Sequence, residues 1–346
     1  MLTKPDIEAA ARRIRALDEE AMRQAAARWD SLAKLPGSLG ALETAVTRLA
    51  GIQRTVQPRI EKKRVLVLCA DNGVLQEGIS PSAMEVTAAQ AVNFARGGGT
   101  INAFARQCGA EVVAVDVGIA TPYEEARVMR RVVRAGTDNM ARGPAMTPAE
   151  CRRAVETGIE LAQQAAQDGI KLVITGEMGI GNTTTSSAVA ALLLNQPLER
   201  VTAKGAGSPE RVAHKIAVLQ QAFEINRPDP ADPLDVMAKV GGLDIAAMCG
   251  VYIGCASCGI AVMIDGVISS AAALCAARLV PACREYMFPS HCSAEPAGRL
   301  LLEALGFTPL ITAGMCLGEG TGAALGACLL DAALAAYTEV VPLDAI

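Results

Sequence analysis

Short apolar runs, each closed by a glycine-bearing polar turn and followed by a helical pattern, leave this chain few folds to choose from. They are RVLVLCADNG (64–73), EVVAVDVG (111–118), KLVITGEMG (171–179) and GIAVMIDG (259–266), with REYMFPSH (284–291) and PLITAGM (309–315) as weaker members. Strands that are apolar on both faces and alternate with helices belong to parallel sheets covered on both sides. Only 3% of the residues are aromatic against 51% hydrophobic, so the core is aliphatic, which suits helices on such a sheet and disfavours an all-β sandwich. We therefore expect an α/β, Rossmann-like, doubly wound and mostly parallel sheet. With 346 residues, one large domain and an appendage fit better than two domains. The helical patterns at both ends suggest a small subdomain of 1–40 plus 322–346, leaving 41–321 as the catalytic α/β domain. Three prolines in EINRPDPADPLDVM (224–237) read as a loop.

The net charge is −4 and the basic residues form no sustained stripe, so no nucleic-acid partner is expected and small molecules are favoured. No run reaches about 18 uninterrupted apolar residues, and the charged start MLTKPDIEAAARRIRALDEE lacks a signal-peptide core; the expectation is no membrane association and a cytoplasmic protein. Eleven cysteines lie scattered in apolar runs and read as reduced thiols. The pair Cys255 and Cys258 has C-x-x-C spacing but no second pair or nearby histidine, so no metal is expected.

Sheets of this kind bind ligands beyond the carboxyl ends of their strands, where Asp71, Asp116, Glu177, Asp265, His291 and Glu319 are expected to converge. Within ITGEMGIGNTTTSS (174–187), Gly179, Gly181, Asn182, Thr183 and Thr184 open a helix and suit an anion through free backbone N–H groups and the helix dipole. No Gly-Lys-Ser/Thr ending follows, so a monophosphate fits better than a magnesium triphosphate. The incomplete Gly179-x-Gly181-x-x-Thr184 spacing leaves a dinucleotide open as an alternative. RGGGTIN (96–102) and TAKGAGSPE (202–210) are further glycine-rich loops that either line the crevice or merely open helices. In LGEGTGAALG (317–326), the glycines around Glu319 leave its carboxylate uncovered, although an acid at a helix start also stabilises the macrodipole.

These segments, with LPGSLGALE (35–43), EGISPSAMEVTAAQAVNFARGGGTINAFAR (77–106), GTDNMARGPAMT (136–147), KVGGLDIAAMCG (239–250), DGVISSAAAL (265–274) and SHCSAE (290–295), resemble the nicotinate-nucleotide–dimethylbenzimidazole phosphoribosyltransferase family of cobalamin lower-ligand synthesis. The likeness runs in order from about residue 34 to about residue 326. It implies a homodimer that needs no cofactor and moves the 5-phosphoribosyl group of nicotinate mononucleotide to dimethylbenzimidazole or a related azole, with inversion at C1′. It further implies Glu319 as general base and a role for Glu177 at the ribose or its developing cation. The loop residues Gly179, Gly181, Asn182, Thr183 and Thr184 would hold the nucleotide with help from Ser290, Ser293 and Lys215; Ser80, Met84 and Gln90 would meet the azole. The family's Lys-Pro-Pro is Lys34-Leu35-Pro36 here, its Asp-His-Gly carries Asn72, and KGAGSPE departs from its glycine loop. A nicotinamide-dependent oxidoreductase using 174–199, or a non-catalytic nucleotide-binding regulator, are the alternatives.

Overall fold

The computed structural model describes residues 6–203 and 208–346, so the centre of the glycine-rich loop 202–210 lies outside the described residues. Six strands form one sheet: β1 (Lys63–Ala70), β2 (Ala110–Gly118), β3 (Met129–Arg130), β4 (Leu172–Met178), β5 (Ala261–Ile264) and β6 (Met287–Pro289). Their spatial order is β3-β2-β1-β4-β5-β6, with every pairing parallel. This is the doubly wound order whose direction of travel reverses between β1 and β4. Four of the expected strands match within a few residues and the 284–291 run shrinks to β6. The 309–315 run is not a strand: only Ile311 bridges to His291, and the rest is loop. The two-residue β3 escapes the sequence because nothing in so short a segment shows periodicity.

Helices cover both faces. Thr147 opens Pro148–Gln167 with a reciprocal cap, its Oγ1 accepting from Glu150 N at 3.2 Å while Glu150 returns a carboxylate to Thr147 N at 2.8 Å. That helix meets Leu243–Cys258 backbone to backbone: a Cβ on Gly250 would lie 1.8 Å from the Val155 carbonyl. Cys255 is enclosed there and Cys258 half-buried on the last turn, both as free thiols. The segment 224–237 is less open than expected, since Pro209–Asn226 and Pro233–Val240 are helical and each uses a proline at its start.

The helix Thr321–Glu339 is as long and apolar as a membrane span, with half of its apolar window buried within the protein. It packs on β4, β5 and the helices Ala41–Gln53 and Thr100–Gln107. Near its far end Tyr337 meets Trp29 of the helix Glu19–Ser31 edge-on at 4.9 Å.

Candidate active site

The reversal between β1 and β4 is closed. A Cβ on Gly179 would come within 2.4 Å of the Ala70 carbonyl, and Asn72, Asn182 and Asp244 occupy the remaining space. A cavity of about 430 Å³ opens one strand further along, beyond the ends of β4, β5 and β6. It is lined by Glu177, Asp265 and His291 at or just past the ends of these strands, by Ser293 and Glu295, and by Cys316, Leu317 and Glu319.

Glu319 is placed by backbone geometry. Gly318, Glu319 and Gly320 all have positive φ (87°, 63° and 97°), so two glycines carry a left-handed turn whose middle residue is strained. Gly176 of β4 lies beneath, where a Cβ would sit 2.3 Å from the Glu319 carbonyl oxygen. Asp265 clamps the turn from β5, accepting Gly320 N at 3.0 Å and Ala323 N at 2.9 Å. Glu177 accepts Glu319 N at 3.4 Å. Glu319 is only 8% exposed, and among the described residues its carboxylate takes one hydrogen bond, from Ile101 N at 3.1 Å, at the start of the helix Thr100–Gln107 that follows the RGGG loop.

Glu177 belongs to a buried chain of polar groups. The Asn182 amide donates to Glu177 Oε2 and, at 3.1 Å, to Asp244 Oδ2. Burial, then the charges of Asp244 and Asp265, push the Glu177 carboxyl up to about 8. Burial likewise raises Asp244 to about 6, against its hydrogen bonds to Asn182 and backbone N–H groups. Glu319 is raised by burial and by the Asp265 charge, with the Ile101 hydrogen bond opposing. A proton acceptor in a drier pocket thus has a higher proton affinity than an ordinary glutamate.

Of the six strand-end groups expected together, Glu177, Asp265, His291 and Glu319 line the cavity. Asp71 and Asp116 do not. Asp116 accepts Gly118 N, Ile119 N and the Tyr123 hydroxyl at 3.0, 2.8 and 2.7 Å, and Asp71 accepts Ala120 N at 2.8 Å, on the β1–β2 side. In the 174–187 loop, Gly179, Asn182 and Thr183 line the cavity, whereas Gly181 packs on Asn72 and Thr184 points inward, its hydroxyl buried and without a partner among the described residues. Asn182 spends both amide hydrogens on carboxylates. Lys215 stands one residue behind the wall, its Nζ 3.1 Å from both Thr183 Oγ1 and the Ala203 carbonyl. Ser293 lines the cavity, while Ser290 donates to the Ile264 carbonyl at 2.6 Å and is enclosed. Gln90 reaches the cavity from the helix Glu85–Ala95; Ser80 and Met84, half-buried just before it, do not.

Sequence reasoning missed Asp244, Glu295 and the start of the helix Val267–Leu279, whose residues Gly266 to Ser269 face the cavity. The segment DGVISS carries a signal for the last of these, a glycine N-cap directly after a strand. Asp244 looks like an ordinary first-turn acid and gives none.

Residues 14–345 match the model of a family described as Phosphoribosyltransferase. A protein of Desulforamulus reducens named nicotinate-nucleotide–dimethylbenzimidazole phosphoribosyltransferase is 48% identical over 331 residues, covering 95% of this chain and 94% of its own. One of the same name from Acetivibrio thermocellus is 47% identical over 322 residues, covering 93% and 92%. The crystal structure of CobT from Thermus thermophilus is similar with a TM-score of 0.89 at 40% identity, covering 94% of this chain and 98% of that one.

Proposed function

We propose, starting from the fact that the chain belongs to the phosphoribosyltransferase family, that it transfers the 5-phosphoribosyl group of nicotinate mononucleotide to dimethylbenzimidazole or a related azole. The products are α-ribazole 5′-phosphate and nicotinate. The observation that carries this reading is Glu319: a buried carboxylate on a strained glycine-flanked turn, facing a cavity beyond the strand ends. In the reaction, an azole nitrogen attacks C1′ opposite the nicotinate, and the breaking bond returns its electron pair to the pyridinium nitrogen. The leaving ring becomes neutral and needs no acid. The proton on the azole's other nitrogen passes to Glu319 as general base. Carboxylates near C1′, Glu177 among them, stabilise the charge that develops there.

The azole is assigned to the side where Gln90 enters, beside the apolar Met178 and Leu317, with Ser80 and Met84 adjoining. The nucleotide lies along Gly179, Asn182 and Thr183, toward Ser293 and the Lys215 that supports Thr183; Gly181, Thr184 and Ser290 support this wall from behind. We also propose a cytoplasmic homodimer and a division into 1–40 plus 322–346 against 41–321. The dimer is supported by Leu35 and Leu343, exposed at 78% and 59% near the paired Leu32 and Pro342. Sedimentation at micromolar concentration checks it. The activity is tested by giving purified protein both substrates: nicotinate release and an α-riboside are expected, and no release across a panel of azoles overturns the assignment.

A further inference from the structure

A second cavity of about 430 Å³ lies at the β6 edge of the sheet and shares no lining residue with the first. Its wall is Ala41 and Ala45 of the helix Ala41–Gln53, Phe288 and Pro289 of β6, and Phe307 and Leu310 beyond. A mostly apolar space of this size, with few polar groups, has the make-up of a small-molecule site. Among the described residues that line it, Arg48 is the one charged side chain and there is no carboxylate.

Arg48 is held in place but not neutralised. Its Nη2 donates to the Met287 carbonyl at 2.7 Å, and its Cζ stands 4.2 Å from the centre of the Phe288 ring and 5.5 Å from that of Phe307. These contacts fix the guanidinium against two aromatic faces. Its Nε is enclosed without a hydrogen-bond partner among the described residues, none of which forms an ion pair with it. The acid whose charge acts on it, Glu285, is paired at 3.0 Å with Arg284. Arg284 in turn lies 4.8 Å from the Phe307 ring and donates to the Leu305 carbonyl and, at 3.1 Å, to that of Gly306. Two guanidiniums and one carboxylate leave a single net positive charge around Phe307. Burial pushes Arg48 down to about 10, with Glu285 opposing and Arg284 adding to the fall, so it is still a cation at neutral pH. A cation so placed, with one carbonyl for company, is unfavourable until an anion meets it.

The geometry points to this cavity as a second binding site, for a small aromatic monocarboxylate whose carboxylate takes hydrogen bonds from Arg48 and whose ring lies among Phe288, Phe307 and Leu310. One unmatched positive charge calls for a monoanion, since a phosphate dianion would carry its second charge into apolar walls. A planar carboxylate matches the guanidinium fork, and a flat ring matches the phenyl faces beside it.

Benzoate is the probe, and calorimetry on the purified protein is expected to show saturable binding in the millimolar range or tighter. Benzyl alcohol, with the same ring and no charge, should bind far more weakly. The chain has five phenylalanines and none lines the first cavity among the described residues, so nuclear Overhauser contacts from benzoate to the Phe288 and Phe307 rings identify the site. Arg48→Gln should weaken benzoate about 10–100-fold, the scale of one charged hydrogen bond, and Arg48→Lys less. Ala41→Trp, at an exposed position on the wall, leaves Arg48 in place and should block binding by filling the space. Absence of saturable benzoate binding to the wild type overturns the proposal. So does benzoate binding that both Arg48→Gln and Ala41→Trp leave intact, or equal binding of benzyl alcohol. A dimer that dissociates in sedimentation when Arg48 is replaced also overturns it, because the cavity is then a contact between two copies of the chain.

Discussion

The two halves of the sheet's carboxyl edge use similar residues for opposite ends. Beyond β1 and β2, the Asp116 carboxylate is consumed by two backbone N–H groups and a tyrosine hydroxyl, and Asp71 holds a third backbone group. Such acids satisfy turn donors that burial would otherwise orphan. Beyond β4 and β5, Asp265 takes the same kind of work, fastening the turn at Gly320, and thereby leaves Glu319 with a single donor among the described residues. Asp116, with three donors, is spent on its own turn, whereas Glu319 keeps a face on the cavity.

Substitution at each position tests that distinction, and the largest effect is expected at Glu319. Glu319→Gln keeps size and the Ile101 hydrogen bond but removes the proton acceptor, and should lower turnover by roughly 10²–10⁴ with mononucleotide affinity largely kept. Equal activity in the variant would move the base elsewhere.

Next comes Glu177, the acid that belongs to both roles. In the unfolded chain it ionises near 4.5, and in the fold only at about 8, so the native state holds a proton that the unfolded state has lost. Its contribution is therefore fully present below pH 4.5 and is lost as the pH rises through 8. Glu177→Gln should match the wild type in urea unfolding near pH 4.5 and gain on it, by on the order of 4 kcal/mol, toward pH 9. A constant offset at both pH values would remove the buried-proton account.

Asp116→Asn addresses the other half of the edge. It leaves at least one of three donors poorly matched, which costs about 1–3 kcal/mol of stability, while kcat and KM measured below the transition should stay within a few-fold of wild type. A large fall in kcat alone would make the two halves functionally continuous.

This contrast also marks what the sequence makes legible. Strand runs such as RVLVLCADNG and KLVITGEMG announce the parallel sheet because both faces are buried, and LGEGTG announces a special backbone because Glu319 has a glycine on each side. The family resemblance read from those ordered segments agrees with the family match and with the fold. Hidden from sequence was the choice of crevice. The reversal between β1 and β4 is the general place for a ligand, but here Asn72, Asn182 and Asp244 fill it, a packing fact that no local pattern encodes. Ser290 shows the same limit: a hydroxyl next to a cavity histidine is spent on the Ile264 carbonyl, which depends on β5 being its neighbour.

The smallest effects separate two adjacent threonines. Thr183 lines the cavity and receives the Lys215 ammonium at 3.1 Å, so Thr183→Ala removes a polar wall atom together with its link to that charge. A roughly 2–10-fold rise in the mononucleotide KM is expected, the scale of one ordinary hydrogen bond. Thr184, fully buried with a hydroxyl that has no partner among the described residues, faces the other way. Replacing it by the isosteric valine should leave the KM alone and hold or raise stability, since an unmatched polar group is exchanged for a methyl of the same shape. If instead Thr184→Val raises the KM as Thr183→Ala does, the phosphate draws on the helix start more deeply than the cavity wall indicates, and the division between lining and supporting residues in this loop has to move by one position.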